Sequence, residues 1–298
     1  MALTQVGPGM IIASQTVDTA SNNGTGAIQM PIGTTAQRPS SPSLGMTRFN
    51  SSLNGIETWN GSIWQGIGIQ DGSSFENAAT SADAIKALTG TTTNGFYWII
   101  NSGTPTQVWC DMTNNGGGWM MIARLHTDNS YWTYNDGIWT NSSSLNPTGA
   151  FDYVGHVKHP FYYSRPHSQV RVCMGSIANA IVESTWSNTS NFATFMNSGS
   201  TNSSNSRATW DTWRNTALGT SLSWLANCNQ IGTNKAYNYQ YVKLGATING
   251  ENDCSTCDEC FGFGLQGISP YSETISSGAY SPYNGTGSAN VVGWIFIK

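Results

Sequence analysis

The chain has 298 residues, of which only 9% are charged, and its formal net charge is -4. Twelve basic residues against sixteen acidic ones leave no positive field for a phosphate backbone, which argues against a nucleic-acid-binding protein. No apolar stretch is long enough to cross a bilayer, and the first residues lack the pattern of a signal peptide. We therefore expect no membrane insertion and no export by an ordinary signal.

Gly, Asn, Ser and Thr are abundant, and this composition favours turns and strands over long helices. We predict an α+β protein that is mostly β, with an extended N-terminal stalk, a trimerising β-hairpin and one globular domain. The predicted parts are an extended segment over 1–35, a hairpin module over 36–70 and the globular domain over 75–298.

Residues 1–35 contain too few apolar side chains to offset the entropy lost on folding. Two interpretations remain open. The segment is ordered by docking on another protein or by winding with copies of itself, or it is a disordered tail.

The hairpin module contains two Asn-Gly turns, at Asn54-Gly55 and Asn60-Gly61, of the kind favoured in tight hairpins. The predicted strands are Met46 to Asn50, Ile56 to Trp59 and Ser62 to Ile67.

A single hairpin of this size is not stable in water. We therefore predict a homotrimer in which Phe49, Trp59 and Trp64 of three copies meet around an axis. The alternative is a hairpin that packs on the C-terminal domain of its own chain.

The strings TTAQRPSSPSLGMTRFN and IETWNGSIW in this module resemble a short unit common in bacteriophage tail fibres and other virion appendage proteins. The resemblance implies a virion protein that is assembled in the host cytoplasm and exposed outside the cell. Residues 1–35 would then contact other tail or baseplate proteins.

The globular part begins with a predicted short helix from Ser81, with Ser81 as its cap and Gly90 as its terminator. Three aromatic-rich strands follow, with three consecutive glycines before the last one. These strands are Phe96 to Ile100, Gln107 to Met112 and Trp119 to Arg124.

The residues Val108-Trp109-Cys110-Asp111-Met112-Thr113 and Gly116-Gly117-Gly118-Trp119 resemble the YCDM…GGGW signature of fibrinogen C-terminal-like domains, including the intelectin lectins. The helix from Ser81 and the strand from Asn94 fit the same pattern. The resemblance implies a fibrinogen-like fold with a calcium site in an acidic loop, and it implies a cysteine partner for Cys110 near Ala82. No cysteine is present there, so Cys110 is a buried free thiol or pairs elsewhere.

Later in the chain, alternation predicts a half-buried strand from Gln169 to Gly175. Residues 184–207 are interpreted as a polar connection. Trp210 and Trp213 stand at helical spacing and predict a core-facing helix from Arg207 to Leu218. Two more strands are predicted, from Tyr239 to Ile248 and from Asn290 to Ile297.

A Gly-flanked acidic loop follows Ile248 and offers the hard oxygen ligands that Ca²⁺ prefers. The predicted calcium ligands are Glu251, Asn252, Asp253, Asp258 and Glu259. A solvated loop without metal is the first alternative. Zn²⁺ at Cys254, Cys257 and Cys260 is a weaker one, because a fourth ligand is missing nearby; disulfides with Cys228 or Cys173 are expected instead.

Beyond the acidic loop, aromatic rings and amides suit a pyranose, whose apolar face stacks while its hydroxyls accept and donate hydrogen bonds. Gln266 stands nearest to the place where intelectins carry a Glu, and the resemblance implies a ligand role for it. The predicted ligand-binding residues are Tyr271, Tyr280, Tyr283, Asn284 and Gln266.

All four histidines lie between His126 and His167, without a spacing typical of a metal site or a catalytic triad. We therefore interpret them as structural or solvated residues and expect no enzyme.

The favoured hypothesis is a phage or virus appendage protein that binds a host-surface glycan. A structural fibre, collar or decoration subunit is the main alternative. A secreted lectin and a depolymerase are less favoured.

Overall fold

The computed structural model describes residues 30–53, 55–220, 225–236, 240–253, 255–267, 274–281 and 287–298. Residues 1–29, and with them most of the predicted stalk, lie outside this part. The strands are β1 (Ile32–Gly33), β2 (Thr47–Asn50), β3 (Gly55–Trp59), β4 (Trp64–Ile67), β5 (Gly95–Asn101), β6 (Thr104–Asp111), β7 (Trp119–Leu125), β8 (Val157–Lys158), β9 (Val170–Met174), β10 (Ala180–Glu183), β11 (Thr201–Asn202), β12 (Asn227–Ala236), β13 (Gln240–Asn249), β14 (Glu259–Gly267), β15 (Thr274–Ser281), β16 (Gly287–Asn290) and β17 (Gly293–Ile297). The α-helices are α1 (Ala82–Thr89), α2 (Phe161–Ser164), α3 (Phe192–Asn197) and α4 (Arg207–Leu218).

The predicted fold class is wrong. The described chain is mostly β, with its strands in three sheets and its helices too short and scattered to make a separate layer. Its Asn-, Ser- and Thr-rich sequence competes with the helical backbone and leaves only brief helical segments. No extended stalk is present in the described residues, because β1 falls inside the predicted stalk and pairs with β2 in a sheet.

We call residues 30–69 the N-terminal sheet. Its four strands follow the order β1-β2-β3-β4, so the predicted hairpins are confirmed but belong to a larger sheet with one parallel edge strand. Ile69 is buried against one face, where a Cβ at Gly55 or Gly66 would meet its side chain at 2.3 or 2.7 Å.

The face of the N-terminal sheet that contacts Ile69, which we call its inner face, also carries buried charged residues. The Glu57 carboxylate is fully buried and lies 2.6 Å from the Arg38 guanidinium and 3.5 Å from that of Arg48. Asn50 Nδ2 donates to the same carboxylate at 2.9 Å. Desolvation opposes ionisation of Glu57, but these hydrogen bonds and charges outweigh it and lower its pKa.

The outer face of the N-terminal sheet carries an apolar row. Register places Ile32, Phe49, Ile56 and Ile67 side by side across the four strands. Ile32 is 63% exposed and Ile67 is 58% exposed. Trp59 and Trp64 pair with each other on the opposite face, so the three residues predicted to meet at a trimer axis do not share one face. The homotrimer stays a prediction.

The seven-stranded sheet contains the three aromatic-rich strands predicted between Phe96 and Arg124. Its order is β10-β9-β17-β7-β6-β5, with β8 paired to β7, and all three predicted strands of this stretch are confirmed. The strand β17 lies between β9 and β7 although it follows both in the chain. The cap of α1 is also confirmed, since Ser81 Oγ accepts from Ala84 N at 2.9 Å and Gly90 has a φ of 67°.

The six-stranded sheet runs from β11 to β16 in chain order. Four glycines stand directly opposite one another on its central strands: Gly232, Gly245, Gly262 and Gly278. Each has a positive φ, and a Cβ on any of them would lie 1.9 to 2.2 Å from a backbone oxygen of the adjacent strand. The row therefore requires glycine at all four positions.

The two larger sheets share one aromatic core with the helices. In α4, the Trp210 ring lies 6.4 Å from that of Phe261 and the Trp213 ring 5.9 Å from that of Phe263, both on β14. The predicted core-facing helix is confirmed. The connection 184–207 is not simply polar, because α3 buries Phe192 and Phe195 in the same core.

Candidate functional site

Two of the predicted ligand-binding residues, Gln266 and Tyr280, lie far apart on the six-stranded sheet. Gln266 pairs with Tyr241 at one end of the six-stranded sheet, whereas Tyr280 pairs with Cys260 toward the other. Cys260 and Gln266 are six positions apart on β14, which corresponds to about 20 Å. Tyr271, Tyr283 and Asn284 lie outside the described residues.

The predicted calcium ligands lie at the Tyr280 end. Glu251, Asn252 and Asp253 are exposed, and Asp253 Oδ1 accepts from the hydroxyl and backbone N–H of Ser255, which lowers the pKa of Asp253. Asp258 Oδ2 accepts from Gly250 N at 3.0 Å. The Glu259 side chain instead points into the fold, where it is buried and accepts from Leu225 N at 3.3 Å.

Within the described ranges, no three potential ligands converge as a metal site would require. The calcium site stays a prediction, as does the lower preference for zinc.

The cysteines are mostly unpaired. Cys110, Cys173, Cys257 and Cys260 are buried free thiols, so the disulfides predicted for Cys173, Cys257 and Cys260 are wrong. Strand geometry buries these side chains in separate parts of the fold, and burial raises the pKa of Cys173 and of Cys257 to about 12. Cys228 is disulfide-bonded, and Cys254 lies outside the described residues.

Three of the four histidines are buried, and two of them, His156 and His159, hold local structure through hydrogen bonds. His156 Nδ1 accepts from His126 N at 3.0 Å, and its Nε2 donates to Asp128 at 2.6 Å. His159 accepts from Phe161 N and lies 2.9 Å from the Gln107 carbonyl oxygen. These bonds tie loops to the seven-stranded sheet.

The Gln266 end of the six-stranded sheet presents a group of aromatic, amide and ammonium side chains at the surface. The rings of Tyr134 and Tyr241 lie 5.0 Å apart at an angle of 39°. Asn135 Nδ2 donates to Gln266 Oε1 at 2.6 Å. We call this group the tyrosine patch; its members are Tyr134, Asn135, Asn234, Tyr241, Lys243 and Gln266.

Strand register builds one side of the tyrosine patch. Tyr241 and Lys243 are two residues apart on β13 and so point to the same face, and Gln266 stands opposite Tyr241 on β14. Lys243 Nζ donates to Asn234 Oδ1 at 3.0 Å and lies 4.7 Å from the centre of the Tyr134 ring.

A long loop from β7 supplies the other side. Asn129 Oδ1 accepts from Ser276 N at 2.9 Å, and Asp136 Oδ2 accepts from Trp132 N at 2.9 Å. Trp132 is fully buried with a φ of 64°, a strained conformation for a bulky residue, and its Nε1 has no hydrogen-bond partner among the described residues. Such strain is characteristic of functional loops, and here the strained loop carries Tyr134 and Asn135.

The side chains of the tyrosine patch can stack on a ring and exchange hydrogen bonds with it. Burial, and to a smaller extent the neighbouring Tyr241, raises the pKa of Tyr134, so its hydroxyl is a neutral donor near pH 7. Burial lowers the pKa of Lys243.

Sequence reasoning identified Gln266 and missed the other five members. Tyr241 and Lys243 lay inside a predicted strand, and their alternation with Val242 and Leu244 was the available signal.

No protein-family model matches the chain. Within the described residues, none of the helices has the length and apolar character needed to cross a membrane.

Proposed function

We propose that this protein is part of a phage or virus appendage and that it binds a host cell-surface glycan through the tyrosine patch. The observation that carries the proposal is the half-buried pair of Tyr134 and Tyr241 beside the Asn135 and Gln266 amides. This combination matches the two chemistries of a sugar ring, an apolar face and a rim of hydroxyls.

The virion assignment rests on the resemblance of residues 34–64 to modules of tail fibres and other appendages. A homotrimer attached through its N-terminal segment would present three copies of the patch. Three linked weak sites gain avidity, so a low affinity at each site is sufficient for attachment. The fibrinogen-like resemblance of residues 75–125 points to the same class of ligand.

The test is binding of the purified protein to an array of bacterial and eukaryotic surface polysaccharides, with calcium and with a chelator. We expect binding by the wild type and a loss of roughly tenfold or more for Tyr241→Ala, the size typical of a buried aromatic contact. The control is Tyr153→Ala, since Tyr153 is 39% exposed and lies outside the patch. Blank arrays in both conditions, or equal losses in the two variants, contradict the proposal.

A structural subunit without glycan binding is the second candidate, and the apolar row on the N-terminal sheet favours it. Exposed contiguous apolar surface marks contact sites between proteins. Sedimentation of Ile32→Ser and Ile67→Ser variants tests this: loss of an oligomer, together with a wild type that binds no polysaccharide on the array, supports the structural role, and an unchanged oligomeric state contradicts it.

A further inference from the structure

The tyrosine patch contains a positive charge without a nearby acidic partner. In the part of the chain that the structure describes, no carboxylate lies within ion-pair distance of Lys243 Nζ, whose one hydrogen-bond acceptor is Asn234 Oδ1. A lysine ammonium has three donors. Among the described residues, two of these donors have no hydrogen-bond acceptor.

The fold holds this ammonium in place. Gly264, with a φ of 64°, faces the stem of Lys243, and a Cβ there would lie 2.8 Å from Lys243 Cβ. The Tyr134 ring lies beside the ammonium, and Asn234 adopts a φ of 49° while its Nδ2 donates to the carbonyl oxygens of Met196 and Gly199. Contacts on three sides thus restrict a side chain that is usually mobile.

We propose, on the basis of the glycan function above, that the ligand is a sugar bearing one negative charge, a carboxylate or a sulfate ester, which Lys243 binds directly. A single ammonium matches a single negative charge. The amides of Asn135 and Gln266 add neutral donors around it, while the Tyr134 and Tyr241 rings contact the sugar ring. The patch therefore selects acidic over neutral polysaccharides.

The experiment uses matched polymers with the full-length protein. Polygalacturonate, alginate, hyaluronate and polysialic acid are each compared with their carboxyl-reduced forms, and dextran sulfate is compared with dextran. We expect at least one charged polymer to bind roughly tenfold more tightly than its uncharged counterpart, with weaker binding at high salt. The two arms distinguish a carboxylate from a sulfate ester.

Three variants assign the effect to Lys243. Lys243→Gln is expected to lower the affinity for the charged polymer to that for its neutral counterpart, and Lys243→Arg to retain most of the preference. Lys298→Gln removes the same charge on the seven-stranded sheet, where Lys298 pairs with Asp83, and is expected to bind like the wild type. Thermal unfolding of each variant verifies that it folds.

The outcomes separate the two proposals. Equal binding of charged and neutral polymers that depends on Tyr241 overturns the acidic-ligand proposal and leaves the glycan function standing. Equal effects of Lys243→Gln and Lys298→Gln also overturn it, because they indicate a general charge effect. Absence of binding to every polymer contradicts both proposals.

Discussion

The N-terminal sheet covers its inner face with charged groups, whereas the two larger sheets cover theirs with aromatic side chains. In the first, Arg38, Arg48 and Asn50 surround Glu57. In the second, Trp186, Trp210 and Phe261 follow one another in a continuous core. A sheet of four short strands encloses too little volume for such a core, and a hydrogen-bonded ion network fills the small interior instead. Buried ion pairs add little net stability, but removal of one partner is costly because it leaves a buried charge unpaired.

The largest effect is expected from removing an aromatic side chain of the globular core. Trp210→Ala leaves a cavity beside Trp186, Trp213 and Phe261, and we expect it to lower the free energy of unfolding by about 3–5 kcal/mol. Chemical denaturation monitored by tryptophan fluorescence measures this change. Hydrogen exchange in β2 and β3 serves as the control and should stay unchanged; a change there would show that the two regions unfold as one.

In the N-terminal sheet, we expect a substitution to lower stability locally and to leave the globular core unaffected. Glu57→Gln leaves two guanidinium groups without their carboxylate, and we expect a local loss of about 3 kcal/mol, since one of the two is partly exposed. Faster hydrogen exchange confined to β2 and β3 is the expected signal. Glu76→Gln removes an exposed carboxylate and should have no such effect. An unaffected sheet in Glu57→Gln would refute the role given to the network.

Lowering the pH should destabilise the globular part before the N-terminal sheet, because all four histidines lie in the globular part. Burial lowers the pKa of His159 to about 4, so the neutral form is favoured in the folded state and stability falls as pH drops from about 6.5 toward 4. His159 alone accounts for a loss of about 2 kcal/mol at pH 5. Glu57 has a lowered pKa, so its contribution persists until the pH falls below about 4.5.

The free energy of unfolding, measured between pH 7 and 5, tests this expected loss of stability. We expect His159→Gln to reduce the pH dependence by about 2 kcal/mol while the exchange rates of β2 and β3, corrected for intrinsic pH effects, stay constant. An unchanged pH dependence in His159→Gln would contradict the assignment of this loss of stability to His159.

The smallest effect concerns the contact of Ile69 with the inner face of the N-terminal sheet. Gly55→Ala places a methyl group 2.3 Å from Ile69 Cγ1, which forces a shift of that side chain and costs about 1 kcal/mol. Adding Ile69→Ala removes the clash. The free energy of unfolding of the double variant should therefore fall by less than the sum of the two single losses. Additive losses would show that this contact does not limit packing.

Local features were predictable from the sequence because they depend on neighbouring residues. The cap and terminator of α1 and the aromatic spacing of α4 each lie within a few residues of the chain. The charged interior and the tyrosine patch were not predictable in this way. Glu57 and Arg38 meet only because a short segment folds over the sheet, and Tyr134 meets Tyr241 only because a long loop from β7 lies against β13. For the same reason, closeness along the chain grouped Gln266 with Tyr280, although the two lie toward opposite ends of their sheet.

The position of β17 has a consequence for biosynthesis. Residues 293–297 leave the ribosome after both strands between which they insert, so the hydrophobic faces of β7 and β9 cannot close during translation. Until then the nascent polypeptide exposes two unpaired strand edges, which are prone to pair with other chains. Termination ahead of Gly293 is therefore expected to release an aggregating product.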